Sequence, residues 1–448
     1  MKTLLSEAAQ RAIRYLERLD ERAVFPTPEG RARLAALGGP LPDAPSSDAD
    51  VLALLDDVAS SATVASAGRR YFGFVTGGAL PATVAASWLA TAWDQNAFSA
   101  TTSPAVAAIE EVALGWLVEL LALPPGTGGA FVTGATMANL TGLAAARRAV
   151  LLRAGWDVDE QGLVGAPRLR VVLGAEAHPT VRKALGLLGL GRATAEVVPV
   201  DRQGRMRPDA LPALDDTPTI VCLQAGNVNS GAFDPAHEII PAAHAAGAWV
   251  HVDGAFGLWA AVAPSRAHLV AGFAEADSWA TDGHKWLNVP YDSGLAFVRD
   301  PSLLRGAMSV AAPYFPRGAA RDPGDFTPEA SRRARAVEVW AALRSLGRSG
   351  VADLVERCCR HAARFADGLR AAGHAVLNDV VLNQVVVSFG DAERTRRVAE
   401  RLERDGTCWC GLTSWQGQTA IRISVSSWAT TADDVERSLA AMLRAASA

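Results

Sequence analysis

Lysine is almost missing from this chain of 448 residues: of its 43 basic residues only Lys2, Lys183 and Lys285 are lysine, and arginine supplies the rest. Side-chain chemistry that needs a primary amine is therefore confined to three positions, because a guanidinium neither sheds its proton nor forms a Schiff base. Cysteine is also scarce. Five in all, two adjacent (Cys358, Cys359) and two in the string CWC (Cys408, Cys410), match neither a disulfide framework nor zinc-ligand spacing, so reduced thiols and no metal are expected. Neither charge sign dominates. The 43 basic and 47 acidic residues leave a net charge of −4 and are scattered, which argues against nucleic acid as a partner. No apolar run has membrane-spanning length, and the opening MKTLLSEAAQRAIRYLERLDER carries charges where a signal peptide has its apolar centre. A cytoplasmic protein with no membrane partner is expected.

What is present is ordinary globular composition, half hydrophobic and one fifth charged, over a length that suits one large or two unequal domains. Apolar residues at Leu4, Leu5, Ala8, Ala12, Ile13, Leu16 and Leu19 form a helical stripe, and residues 26 to 50 are rich in Pro, Gly, Ser and Asp. A helix is expected over 104 to 122, ending at Pro124-Pro125-Gly126. Seven short apolar runs follow: FVTG (131 to 134), RVVLG (170 to 174), AEVVPV (195 to 200), TIVCLQ (219 to 224), AWVHVDG (248 to 254), DSWAT (277 to 281) and GLAFV (294 to 298). Helix-period segments at 136 to 152, 179 to 190 and 235 to 246 separate several of them, the rhythm of βαβ units and a mainly parallel sheet. Past Asp325 the pattern changes to helices over 329 to 347 and 351 to 372, two strands and a terminal helix. The expectation is an α/β fold with an N-terminal helical segment (1–65), a large domain (66–324) and a small α+β domain (325–448).

In such a sheet ligands sit at the carboxyl ends of strands. The segment VTGATMANLTGLAAAR (132 to 147) reads as strand, turn and helix N-terminus, offering backbone N–H groups and the Thr136 hydroxyl to a phosphate. It lacks the GKS or GKT of a P-loop. His178 and Asp253 follow other strand ends, where each also suits a plain helix cap. Lys285 stands between His284 and Trp286 just past a strand, the setting Schiff-base chemistry requires. A phosphate cradle, a ring-facing histidine, a buried carboxylate for a pyridine nitrogen and one amine describe a site for pyridoxal 5'-phosphate.

The strings SPAVAAIEEVALGWL, TGATMANLTGLAAAR, EAHPTVRKALGLLG, HVDGAFG, DGHKWLNVPYDSG, SRRARAVEVWAALRSLG, NQVVVSF and RISVSSWATTADDVE make the resemblance specific. From about residue 70 to the C-terminus the chain resembles the group II pyridoxal-dependent amino acid decarboxylases, of the fold-type-I aminotransferase superfamily. The resemblance implies that Lys285 bonds the cofactor, Asp253 meets the pyridine nitrogen, and His178 stacks over the ring with Ala255 beneath it. Ala135, Thr136, Asp282 and His284 fall to the phosphate, Arg332 to the substrate α-carboxylate, and Tyr314 to delivery of a proton to Cα. A substrate pocket drawn from residues 70 to 103 and completed across a homodimer is also implied, with Phe72, Phe74, Trp93, Asn96 and Phe98 as linings, suiting a neutral aromatic or aliphatic side chain.

The sequence departs from the family at Asp282, where asparagine is frequent, and at Val228, where a threonine often reaches the cofactor. Alternatives on the same scaffold are an aldehyde synthase or a carbon–carbon lyase; a further one, of another class, is a non-catalytic binding protein.

Overall fold

The computed structural model describes residues 1–310 and 320–447. The chain divides into two compact units, one of Met1–Thr76, Ala363–Leu377 and Val385–Ala448, the other of Gly77–Ala362 and Asn378–Gln384. This division differs from the boundaries expected at residues 65 and 325. The reason is pairing between segments far apart in sequence, which periodicity does not reveal: Phe72 N–H donates to Trp409 O (2.9 Å), Val24 N–H to Gly406 O (3.0 Å), and the Tyr71 and Trp409 rings stack with centroids 5.3 Å apart.

In the larger unit all seven apolar runs become strands: β1 (Gly128–Val132), β2 (Arg170–Gly174), β3 (Glu196–Val198), β4 (Thr219–Gln224), β5 (Trp249–Asp253), β6 (Ser278–Asp282) and β7 (Gly294–Val298). They form one sheet in the order β1-β7-β6-β5-β4-β2-β3. Neighbours from β6 to β3 run parallel, while β7 pairs antiparallel with both β6 and β1. Every residue of β4, β5, β6 and β7 is buried, as expected of central strands covered on both faces, and this explains why they read as continuous rather than alternating apolar runs. The helix Ala135–Arg153 follows β1, Pro179–Leu187 follows β2, and Ala236–Ala245 lies between β4 and β5. The two helices expected over 329–347 and 351–372 occupy Ala336–Ala371, divided at Gly347, whose φ of 60° only glycine adopts readily.

The smaller unit carries a four-stranded sheet, β10-β11-β9-β8, from β8 (Ala375–Val376), β9 (Gln384–Ser388), β10 (Gly411–Trp415) and β11 (Gln418–Ser424), with helices Ala392–Asp405 and Ala432–Ser447. The helix Lys2–Glu17 buries none of its residues: Leu5, Ile13 and Leu16 on its apolar stripe are exposed. Among the described residues no helix is long and apolar enough to cross a membrane, no cluster of residues could hold a metal, and all five cysteines are buried and unbridged.

Candidate active site

A cavity of about 250 Å³ opens where β1, β2, β4, β5 and β6 end. It gathers Ala135, Thr136, His178, Asp253, Ala255, Asp282, His284 and Lys285, all eight residues expected to hold the cofactor. Lys285 reaches it on a single helical turn, Gly283–Trp286, that β6 feeds directly, and its Nζ lies 6.0 Å from the centroid of the Phe256 ring. Asp253, the last residue of β5, is buried, and its Oδ1 accepts the Ala255 N–H at 3.2 Å. His178 does cap the helix that follows it, since its Nδ1 accepts the Thr180 N–H at 3.3 Å and lies 2.7 Å from Thr180 Oγ1. In the neutral ring the proton then sits on Nε2.

The phosphate end is built on the helix Ala135–Arg153. Its cap residue, Gly134, has no side chain to satisfy the first turn. One of those N–H groups, that of Ala135, is bonded to Asp282 Oδ2 at 2.8 Å. The other Asp282 oxygen accepts the His284 N–H at 3.2 Å and lies 2.6 Å from His284 Nδ1, close enough for an ion pair but off the line of a hydrogen bond. The carboxylate that departs from the family pattern is thus compensated by donors and by an adjacent imidazole. At Gly226, which lines the cavity, two loops cross back to back: a Cβ on Gly257 would lie 2.0 Å from Ala225 O, and one on Gly226 2.9 Å from Gly257 Cα.

Arg332 is placed differently from expectation. Its guanidinium is buried away from the cavity, with Nη1 donating to Ala97 O (2.8 Å) and Glu110 Oε2 (3.0 Å) and Nη2 to Phe131 O (2.8 Å). Glu110 is itself buried, so the pair is a structural strut; separating it would strand a charge. The expected pocket linings are likewise not drawn into this cavity. Phe72 is buried edge-on against Phe365, Asn96 is held by the Arg332 N–H (3.0 Å), and Phe98 packs over Gly324. Phe74 and Trp93 are exposed, at 62% and 43%. Tyr314 lies outside the described residues.

Thr180, Gln224 and Phe256 line the cavity and were not singled out from the sequence. Gln224 carried a usable signal, because it closes the run TIVCLQ. Its place is fixed by Asp234, which accepts the Gln224 N–H and the Met206 N–H at 2.7 Å each and whose carboxyl burial pushes up to about 6.

The donor set fits pyridoxal 5'-phosphate. A helix N-terminus whose cap residue is glycine, with the His284 imidazole beside it, suits a phosphate, a buried carboxylate suits a pyridine nitrogen, and one amine shares their cavity. Residues 41–389 match the family model described as the pyridoxal-dependent decarboxylase conserved domain. Tryptophan decarboxylase 1 of Oryza sativa subsp. japonica is 29% identical over 405 residues, 81% of this chain and 77% of that one. The acidic amino acid decarboxylase of Mus musculus is 31% identical over 301 residues, 64% of this chain and 54% of that one. The crystal structure of Oryza sativa TDC with PLP and tryptamine shares the fold, with a TM-score of 0.91 at 24% identity, covering 100% of this chain and 97% of that one. The chain belongs to the pyridoxal-dependent decarboxylase family, and with it to the carboxy-lyases that use pyridoxal 5'-phosphate to decarboxylate amino acids.

Proposed function

We propose that the protein converts an L-amino acid with a neutral aromatic or aliphatic side chain to its amine and carbon dioxide. The observation that carries the side-chain class is the cavity wall. Phe256, Val228 and Ala255 are apolar, and among the described residues no arginine lines the cavity. The two arginines best placed in sequence to meet an acidic side chain are otherwise engaged, Arg69 with Asp20 (2.8 Å) and buried Arg70 with Asp434 (3.2 Å).

In this reading Lys285 Nζ would be the amine that holds the cofactor. The carboxylate of Asp253 holds the proton on the pyridine nitrogen. The Ala135–Thr136 turn and His284 hold the phosphate, His178 covers the ring, and Ala255 supports it from below. Pyridoxal 5'-phosphate, when bound, supplies the sink for the electrons of the broken carboxyl bond. Tyr314 delivers the proton to Cα, a role carried by the family resemblance alone. The exposed apolar side chains of Leu5, Ile13 and Leu16, and of Trp88, Leu89 and Trp93, support a homodimer in which Phe74 and Trp93 face the partner's site. The test is a screen of amino acids for carbon dioxide release, with mass spectrometry of the product. Amines from neutral substrates are expected; turnover confined to glutamate, aspartate or cysteine sulfinate would overturn the assignment.

A further inference from the structure

His251 is fully buried two residues before Asp253 on β5, and the cavity chemistry does not use it. Its two ring nitrogens nevertheless join three elements of the site. Nδ1 lies 2.8 Å from Ser278 Oγ on β6, and Nε2 lies 2.9 Å from Asn139 Oδ1 on the helix Ala135–Arg153. The proton order is set from one end: Trp249 Nε1–H donates to Ser278 Oγ (2.9 Å), the serine hydroxyl donates to His251 Nδ1, and Nε2–H donates to Asn139. Burial holds the imidazole neutral, with its pKa pushed down to about 3, so the ring keeps a single N–H to give. Among the described residues the amide's other end, Asn139 Nδ2, is buried without a partner, so the contact to His251 is the one that fixes the amide.

The spacing is matched on both sides. Four residues of helix, from Ala135 to Asn139, advance about 6 Å. Two residues of strand, from Asp253 back to His251, span about 6.7 Å. His251 therefore meets the helix one turn below the phosphate cradle, while Asp253 stands at the cavity one step above on the same face of β5. Gly142 completes the fit, since a Cβ there would lie 2.7 Å from His251 Cε1 and 3.0 Å from Nδ1. A glycine inside a helix is unfavourable relative to alanine, and here it lets the imidazole lie against the helix backbone.

We propose, on the basis of the cofactor site described above, that His251 is a positioning residue that fixes the axial setting of the phosphate-binding helix against the strand carrying Asp253. The two ends of the cofactor, its phosphate and its pyridine nitrogen, are thereby held at a set separation by a strut that touches neither.

The test is refilling of the full chain, stripped of cofactor, with pyridoxal 5'-phosphate, followed by absorbance of the bound form, alongside thermal melts. His251→Leu should weaken uptake tenfold or more and shift the bound band, and Asn139→Leu should do the same. The double variant should be no weaker than either single one, because both remove the same strut. His251→Gln, which keeps an N–H for Asn139, should stay within threefold of the wild type. Wild-type uptake and band in His251→Leu, even with a lowered melting temperature, would show a merely structural residue and overturn the proposal, as would fully additive losses. Should His251→Leu not fold, Ser278→Ala leaves the imidazole in place and removes the hydroxyl between it and Trp249; a several-fold loss of affinity supports the strut, and unchanged affinity overturns it. Asp253→Asn separates this proposal from the site reading: a normal band in that variant refutes the cofactor assignment and the strut with it. Loss of the band in Asp253→Asn with normal uptake in His251→Leu refutes the strut alone.

Discussion

Ala135 donates its backbone N–H to Asp282 Oδ2 at 2.8 Å, so a carboxylate already occupies part of the helix N-terminus proposed to receive the cofactor's phosphate. Two negative groups can share that end only if a positive or donor group stands with them. His284, with Nδ1 at 2.6 Å from Asp282 Oδ1, is that group.

Replacing His284 with Gln should therefore leave the carboxylate only its two backbone donors, expose the phosphate to more of its charge and lower cofactor affinity by about tenfold, with Asp282→Asn in the same chain recovering most of the loss. Titration with pyridoxal 5'-phosphate at fixed ionic strength reads both. A double variant no better than His284→Gln would mean that Asp282 does not repel the phosphate.

Arg332 makes the opposite kind of prediction. Among the described residues its removal leaves Glu110 buried with only Arg321, at 3.1 Å, as an ion-pair partner, so Arg332→Met should cost about 3–5 kcal/mol of stability. Thermal or urea unfolding measures it. An unchanged melt accompanied by a large rise in KM would restore Arg332 to the substrate.

His251 sets a pH dependence. Its pKa falls from 6.5 in the unfolded chain to about 3 in the folded one, so the unfolded state takes up a proton first on acidification. The stability it contributes is whole above pH 6.5 and is lost as pH falls toward 3. Between pH 7 and pH 5 that loss is about 2 kcal/mol. Urea unfolding at the two pH values should show a wild-type decrement larger by this amount than that of His251→Gln; equal decrements would count against a neutral, buried imidazole.

Tyr314→Phe tests the proton donor. The variant should bind cofactor and substrate and still release carbon dioxide, but yield aldehyde with oxygen uptake where the wild type yields amine without it. Amine at the wild-type rate from the variant would remove Tyr314 from the reaction.

The residues proposed to hold the cofactor were legible because each ends or follows a short apolar strand, and strand ends converge in a parallel sheet. Lys285 stood out further through the rarity of its residue type. The setting of Arg332 was not legible for a physical reason: its partner Glu110 is 222 residues away. The unit boundaries were hidden in the same way, by pairing of Tyr71 with Trp409. His251 drew no notice because a histidine within an apolar strand looks like core. Only the partners at Asn139 and Ser278 show its connection to the site.

The crossing of Gly226 and Gly257 also bears on engineering. With a Cβ on Gly257 only 2.0 Å from the Ala225 carbonyl oxygen, backbone meets backbone and that wall admits no reshaping. Libraries aimed at new amine products should leave both glycines untouched and spend their diversity on Val228 and Thr180, side chains that border the same cavity without carrying any of the cofactor's charge.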